Sequence, residues 1–366
     1  MLAAAVVSHT SPLKVCSGEH DSTRVRPVPA NTMEDAVKQI SAAVPRVTVV
    51  IVTYESRNVV GATLSSLCEV IDAGLAVTVV VDNNSSDGTA DFVDRRFPEV
   101  TLVRSTVNSG FGRGCNLGLR YVSTPYVLLL NPDAVIPRRE LLTLLDFMDQ
   151  FDDVGVCGPA VVESTGTLQP AGGLPAPWEF VLAPLPSRFN KVRRRQVIPG
   201  EAPRRTDWVC GSAMLLRTAM IEQIGLFDPR FFLYFEETDL CSRALLAGWQ
   251  IWTVGEAVAT HVNAASARQS GNRMIGDVIA EHYYRSRFYY LLKHFGPVVA
   301  VSVECGELVS MVGRAVFERL RGRTYPKLQS RLRAPFMELP RDSVQARRPR
   351  TRTTDDRVHQ TTRASS

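Results

Sequence analysis

Three unbroken apolar runs stand out in the first half of the chain: Val47–Thr53 (VTVVIVT), Val77–Val81 (VTVVV) and Tyr126–Leu130 (YVLLL). Runs without alternation predict strands buried on both faces, and such strands need helices above and below their sheet. Between the first two runs, Val60, Leu64, Leu67 and Ile71 recur at helical spacing and predict a helix over Asn58–Ile71. Strand, helix and strand in that order form a right-handed parallel unit. The pattern therefore predicts an α/β fold with a mostly parallel central sheet flanked by helices.

Each apolar run ends in a polar cluster. Thr53, Tyr54, Glu55 and Ser56 follow the first, Asp82 to Gly88 (DNNSSDG) the second, and Asn131, Pro132 and Asp133 the third. Ligands of open α/β sheets sit beyond the carboxyl ends of the strands. Pro132 fixes φ and lacks a donor, so the chain must leave the sheet there and present Asp133 outward. Turn chemistry alone explains any one cluster. Three at the same sheet edge point to a ligand.

A second source of carboxylates lies downstream. The stretch Phe231–Trp249 (FFLYFEETDLCSRALLAGW) brings Glu236, Glu237 and Asp239 to the mouth of a short helix that Gly248 ends. Acids crowded between aromatic side chains are expected to have at least one raised pKa, as a proton-accepting group requires. Acids in a first turn also offset the helix dipole, and Asp239 can pair with Arg243 one turn on.

The loop Asn108–Asn116 (NSGFGRGCN) does not carry the dinucleotide fingerprint, because Cys115 stands where the third glycine belongs. Gly110, Gly112 and Gly114 are read instead as allowing backbone amides close to a ligand, with the Arg113 charge and a helix N-terminus beside it. A flexible turn is the competing reading. Trp208–Arg217 (WVCGSAMLLR) reads as a strand in which Gly211 and Ser212 leave room for a ligand, with Trp208 either stacking on it or filling core.

Composition narrows the classes. The chain has 366 residues, 45% of them hydrophobic, enough for one large α/β domain with extensions. Seven cysteines lie scattered with no CxxC pair, which favours a reducing cytoplasm over a structural zinc site. No apolar run reaches the roughly 18 to 20 residues expected of a spanning helix. Residues 1–45 read as a dispensable extension in which Met33 is a candidate start, and 336–366 as a disordered basic tail. The net charge of +5 draws on that tail, and nothing in it reads bases, so no specific nucleic acid is expected. Pro175–Arg205 mixes prolines with Lys191, Arg193, Arg194, Arg195, Arg204 and Arg205. It reads as a mobile loop that meets carrier phosphates, or equally as a solvated one.

Asp277–Phe295 alternates aromatic and basic residues at helical spacing, including Tyr283, Tyr284, Arg287, Tyr290 and Lys293. Val298–Leu320 is apolar but interrupted by Glu304, Glu307 and Arg314, with Arg319, Arg321 and Arg323 at its end. This fits a helix lying on an anionic membrane surface, the alternative being a helix packed on the domain.

TYES at Thr53–Ser56, VVVDNNSSDGT at Val79–Thr89, NSGFGRGCNLGL at Asn108–Leu119, LLLNPDA at Leu128–Ala134, WVCGSAMLLR, and GLFDPRFFLYFEETDLCSRALLAGW from Gly225 occur together and in order. The set resembles the family 2 glycosyltransferases of GT-A fold, and within them the bacterial rhamnosyltransferase-like branch, over about Val47–Phe295. The resemblance implies a nucleotide-binding half and an acceptor half within 46–295, followed by an amphipathic helical extension over 296–335. It implies that a nucleotide-sugar donor, dTDP-rhamnose or a UDP-sugar, is held by Thr53, Tyr54, Glu55, Asp82, Asn84, Gly110, Arg113, Asn116, Asn131 and Asp133.

The same resemblance places a divalent metal, Mg²⁺ or Mn²⁺, on Asp133 and His261. Asn131 departs from the family pattern there, since relatives carry an acid, so the metal must lean on diphosphate oxygens. Glu237 stands at the position of the catalytic base beside Glu236. The family more often has Asp in this place, which leaves the choice between the two open. A lipid-linked or polysaccharide acceptor would meet Trp208, Gly211, Ser212 and Asp239, at the inner face of the cell membrane. A noncatalytic nucleotide-sugar binding protein is the reading from a different class.

Overall fold

The computed structural model describes residues 44–185, 194–261 and 273–339. The strands are β1 (Val47–Thr53), β2 (Ala76–Asp82), β3 (Thr101–Arg104), β4 (Tyr126–Leu130), β5 (Ala134–Val135), β6 (Val154–Glu163), β7 (Pro170–Gly172), β8 (Arg194–Gln196), β9 (Arg204–Thr206), β10 (Ala213–Arg217) and β11 (Gln250–His261). The helices are α1 (Val60–Asp72), α2 (Thr89–Arg96), α3 (Phe111–Gly118), α4 (Arg138–Gln150), α5 (Pro177–Leu182), α6 (Thr218–Ile224), α7 (Glu236–Leu246), α8 (Arg273–Leu320) and α9 (Pro326–Arg333).

The main sheet runs β3-β2-β1-β4-β10-β6-β11-β5, with β9 added on β11. The first four strands are parallel, and the β1/β2 register sets Thr53 beside Asp82. The second half is mixed: β10 runs antiparallel between β4 and β6, and β6 and β11 are parallel. Only Ala213–Arg217 of the expected Trp208–Arg217 strand is extended in the sheet, because Gly211 and Ser212 turn the chain before it.

Both faces of the sheet are covered, which is why its strands read as unbroken apolar runs. Val49, Ile51 and Leu128 pack with Leu64, Leu67 and Leu144 on one face, while Val50, Val52 and Leu129 pack with Cys115, Met214 and Leu240 on the other. Helix α3 lies so close to β1 that a Cβ on Gly114 would come within 2.6 Å of Val52 and one on Gly118 within 2.4 Å of Val50. These glycines therefore serve helix-to-strand packing.

Among the described residues, Cys115, Cys157, Cys210, Cys241 and Cys305 are free. The described parts of Pro175–Arg205 hold α5, β8 and β9 and so do not form one continuous loop, while 186–193 lies outside the described residues. Most of the expected N-terminal extension and basic tail lies outside them too.

Helix α8 has two arms, broken at Gly296 (φ 82°) and Pro297. By length and composition alone its Ala280–Leu320 stretch is long and apolar enough to cross a membrane, although charged residues interrupt every apolar run within it. The glutamates that interrupt the apolar pattern point inward. Glu304 and Glu307 meet Arg287 of the first arm at 2.5–3.0 Å and Arg331 of α9, all four buried. Burial alone would lower the Arg287 pKa, but the Glu307 hydrogen bond and the charges of Glu307 and Glu304 hold it above the ordinary guanidinium value. Removing one member of such a cluster leaves a buried charge uncompensated, at about 3–5 kcal/mol. The second arm is thus bound to the first by ion pairs, which leaves apolar positions on its outer side. Val298, Val309 and Leu320 are 78%, 72% and 83% exposed, with Val301, Val312 and Val316 exposed between them.

Candidate active site

The sheet edge expected to bind a ligand is built by hydrogen bonds between neighbouring strand ends. The Thr53 hydroxyl donates to Asp82 Oδ1 at 3.1 Å, and Asp82 Oδ2 accepts the Ser85 amide at 3.0 Å. Glu55, in the left-handed region at φ 52°, accepts the amide and hydroxyl of Ser86 at 2.8 and 3.0 Å. Thr53 and Asp82 are buried, whereas Tyr54 is 52% exposed at the mouth. Asn84 forms the turn at φ 67°. Asn83, which the sequence reading passed over, links this edge to the next loop. Its amide donates to Asn108 Oδ1 and the Gly110 carbonyl at 3.0 and 3.1 Å and accepts the Ser109 amide at 3.1 Å.

The glycine loop is shaped by a protein contact. Gly110 has φ 87°, and a Cβ there would lie 2.2 Å from the Phe232 carbonyl oxygen, which the Phe111 amide reaches at 2.8 Å. Arg113 Nε donates to the Pro229 carbonyl at 2.6 Å. The Asn116 amide donates to the Phe227 carbonyl at 2.8 Å and accepts its N–H at 3.0 Å, copying a backbone pair. These side chains brace the Gly225–Phe235 segment.

That segment presents the acid pair. Tyr234 (φ 70°) and Phe235 (φ 69°) are consecutive non-glycine residues in the left-handed region, a strained arrangement that the surroundings must enforce. Phe235 packs on Phe180, Tyr283 and Tyr290, and the Ser286 hydroxyl donates to the Leu233 carbonyl at 2.8 Å. The strain lies at the entry to α7, and Glu236 and Glu237 follow at once.

The two glutamates face different surroundings. Glu236 is buried beside Gly112, and its Oε2 has no hydrogen-bond partner. Burial, and then the charge of Glu237, push its carboxyl well above the ordinary range. Of the two carboxyls, Glu236 is thus the one whose ionised form burial and the neighbouring acid disfavour. Glu237 is half-buried and faces Gly211.

Asp239 is not presented to an acceptor. It is fully buried and bonded to Arg243 Nε at 2.9 Å, Lys293 Nζ at 2.6 Å and His294 Nε2 at 2.8 Å. Burial alone would raise its carboxyl, but the hydrogen bonds from His294 and Lys293 and the Arg243 charge hold it low. Lys293 also meets Asp228 at 2.8 Å, so the first arm of α8 is clamped to the acidic segment. Trp208 is likewise in the core, among the residues of the Val50 and Leu129 face, and does not line the cleft.

The remaining site is assembled by β pairing. Ala134 of β5 pairs with His261 of β11, which brings Asp133 Oδ1 within 2.9 Å of His261 Nε2. Asn131 Nδ2 lies 3.4 Å from the same nitrogen, and the Asn131 amide donates to the Ser212 carbonyl at 2.9 Å. Gln169, absent from the sequence reading, lies behind the ring. Its Nε2 is 3.1 Å from His261 Nδ1, and its Oε1 accepts the Ser212 hydroxyl at 2.6 Å. The oxygen and nitrogen donors are of the kind a small divalent cation takes, and in the structure the two groups are hydrogen-bonded directly to each other. Among the described residues no cluster of three or more His, Cys, Asp or Glu side chains is formed, so most of its coordination would come from other oxygens.

Residues 45–278 match the glycosyltransferase-like family 2. The chain is 28% identical over 271 residues to N-acetylglucosaminyl-diphospho-decaprenol L-rhamnosyltransferase of Mycobacterium tuberculosis, covering 68% of this chain and 85% of that protein. It is 26% identical over 194 residues to rhamnosyltransferase WbbL of Escherichia coli, covering 50% and 70%. Its fold is similar to that of Staphylococcus aureus TarS residues 1–349 in complex with UDP, with a TM-score of 0.50 at 15% identity over 76% of this chain and 91% of that one. The strand-end cluster, the acid pair and the match over most of the catalytic region lead to one conclusion: the chain belongs to family 2 of the glycosyltransferases and is a glycosyltransferase of GT-A fold.

Proposed function

We propose that this enzyme transfers L-rhamnose from dTDP-rhamnose, with inversion, to a lipid-linked or polysaccharide acceptor in cell-wall or surface-glycan synthesis. The observation that carries the reaction class is Glu237, half-buried and facing Gly211 beside the buried Glu236, whose pKa burial raises. The donor reading is supported by the relatives named rhamnosyltransferases. UDP-hexose and UDP-galactofuranose are the alternatives.

In the proposed step the acceptor hydroxyl oxygen bonds to the anomeric carbon as the bond from that carbon to the diphosphate oxygen breaks. Glu237 takes the hydroxyl proton, and the electron pair leaves with the nucleoside diphosphate. Positioned proton removal of this kind contributes roughly a hundred- to ten-thousandfold in rate. Asp82, Thr53, Tyr54 and Glu55 form the edge that receives the nucleoside, with carboxylates and a hydroxyl to accept hydrogen bonds. Asp133 and His261 would hold the divalent metal, with Asn131 as a neutral neighbour. When bound, the metal offsets the charge growing on the leaving diphosphate.

The setting we propose is the inner face of the cell membrane. The outward apolar side of the second α8 arm, with Arg319, Arg321 and Arg323 at its end, fits an anionic surface. The buried pairing of Glu304 and Glu307 supports a helix lying on the membrane rather than crossing it, because crossing would strip both acids from Arg287 and Arg331.

A donor screen tests the activity. Nucleotide sugars are compared by thermal shift with Mn²⁺ present, where a ligand at a hundred times its dissociation constant adds about 2.7 kcal/mol. Release of nucleoside diphosphate and transfer to a lipid-linked acceptor are then measured. dTDP-rhamnose is expected to stabilise most and to turn over. Binding with no turnover of any donor would replace the enzyme reading with that of a binding protein.

A further inference from the structure

His261 is buried, with its two ring nitrogens engaged on opposite sides: Nε2 meets Asp133 at 2.9 Å, and Nδ1 meets Gln169 Nε2 at 3.1 Å. A neutral imidazole carries one proton, so the partner of one nitrogen decides what the other can do. In the arrangement described, Ser212 donates to Gln169 Oε1 and the Gln169 amide donates to Nδ1. The ring proton then sits on Nε2 and is given to Asp133, and no lone pair faces Asp133.

We propose that Gln169 is the positioning residue that selects the His261 tautomer, and that Ser212 lets it select either one. A half-turn of the Gln169 amide presents Oε1 to Nδ1 and its NH₂ to the Ser212 oxygen. Ser212 accommodates both states because a hydroxyl both donates and accepts. In the turned state the proton sits on Nδ1 and the Nε2 lone pair faces Asp133. One proton leaves Nε2 and one arrives at Nδ1, so the net charge is unchanged. Asn131 Nδ2, 3.4 Å away, can donate to the bare Nε2 when no cation is present. The pocket thus has a resting state, closed by the Asp133–His261 hydrogen bond, and a receptive state, with both groups available as acceptors or ligands.

Every contact in this relay is long-range. Asn131 and His261 are 130 residues apart, and Gln169 and His261 are 92. Among the described residues, the Gln169 side-chain amide bonds to His261 and Ser212. The consequence for ligand binding rests on the proposed metal role of His261, whereas the tautomer selection does not.

The test uses the full-length protein with ¹⁵N-labelled histidine at about pH 8, where an ordinary imidazole is neutral. The ring nitrogens are assigned by loss of the signal in His261→Ala. Metal-free wild type is expected to show Nε2–H, shifting to Nδ1–H when Mg²⁺ and a nucleoside diphosphate are added together. Gln169→Glu can only accept at Nδ1 and should show Nδ1–H without any addition. Gln169→Leu removes the donor that faces Nδ1 and leaves Asp133 alone to favour Nε2–H, so its Nδ1–H fraction should exceed that of wild type, with the fold verified by an unchanged circular dichroism spectrum. The same ring spectrum in wild type, Gln169→Glu and Gln169→Leu overturns the proposal. Mn²⁺ titration followed by electron paramagnetic resonance separates the two readings. A loss of about tenfold or more in Gln169→Leu, in the range for outer partners of metal ligands, joins the relay to the metal. Equal Mn²⁺ affinity in His261→Ala and wild type removes the metal role, and the ring spectra still decide the tautomer.

Discussion

Gly211 stands directly against Glu237: a Cβ built on it would lie 3.7 Å from both Cβ and Cγ of the glutamate. The turn before β10 therefore forms one wall of the space in which Glu237 works. Glu237→Gln keeps the size and packing of the side chain but cannot take a proton. Turnover should fall at least about a hundredfold, with nucleotide affinity nearly unchanged. A variant that retains a third of the normal rate would remove Glu237 from the role, and Glu236 is the next residue to substitute.

Glu236 carries a different expectation. Burial and the charge of Glu237 raise its pKa in the folded protein, while the unfolded chain releases the proton near the ordinary value of about 4.3. The folded state then binds more protons between the two values. The stability associated with this group is complete below the unfolded value and is lost as pH rises through the folded one. Glu236→Gln resembles the protonated acid and removes that slope. Thermal melts should give nearly equal Tm values at about pH 4 and a higher Tm for the variant at about pH 8. A variant less stable than wild type at the higher pH would contradict a raised Glu236 pKa.

The metal reading turns on Asp133, the one charged side chain of the NPD turn. Asp133→Ala should abolish metal-stimulated transfer, and His261→Ala should raise the Mn²⁺ concentration needed for half-maximal rate about tenfold or more. Initial rates across a metal titration measure both. Undiminished wild-type transfer in excess chelator would rule the metal out.

For the membrane, cutting the chain after Phe295 is not a clean experiment, because it would strip the buried Arg287 of Glu304 and Glu307. Surface substitution avoids this. Val309 and Val316 are exposed, so Val309→Glu with Val316→Glu should leave Tm unchanged while placing charge on the outward stripe. Full-length wild type should pellet with anionic vesicles at low salt and release partly at high salt, each basic residue near the surface contributing about 1 kcal/mol. The double variant should remain in the supernatant. Equal pelleting of both proteins, or wild type indifferent to vesicles, would return this helix to a purely structural role.

Much of the nucleotide half was legible because its signals are local. The apolar runs at Val47, Val77 and Tyr126 must be strands covered on both faces, and the polar residues that end them must lie at one edge of a parallel sheet. The acidic start of α7 was equally visible, since first-turn acids and an ending glycine lie within one short stretch. The second half was less legible. The antiparallel β10 between β4 and β6 follows from long-range pairing that leaves no periodic trace.

Chain order and side-chain chemistry marked out carboxylates at strand ends and an acid pair at a helix mouth, and the family resemblance added a histidine at the end of a strand. Only three-dimensional packing separated them into roles. Glu236 and Glu237 are adjacent and identical in chemistry, yet one is buried beside Gly112 and the other faces Gly211, because the two side chains leave the helix in different directions. Asp239 was drawn to Lys293 and His294, and Glu304 and Glu307 turned inward to Arg287 and Arg331, by partners distant in the chain or on another helix. Gln169 could not have been singled out at all. Desolvation and hydrogen-bond geometry act on whatever side chains the fold brings together, and a local sequence window does not contain the other half of those pairs.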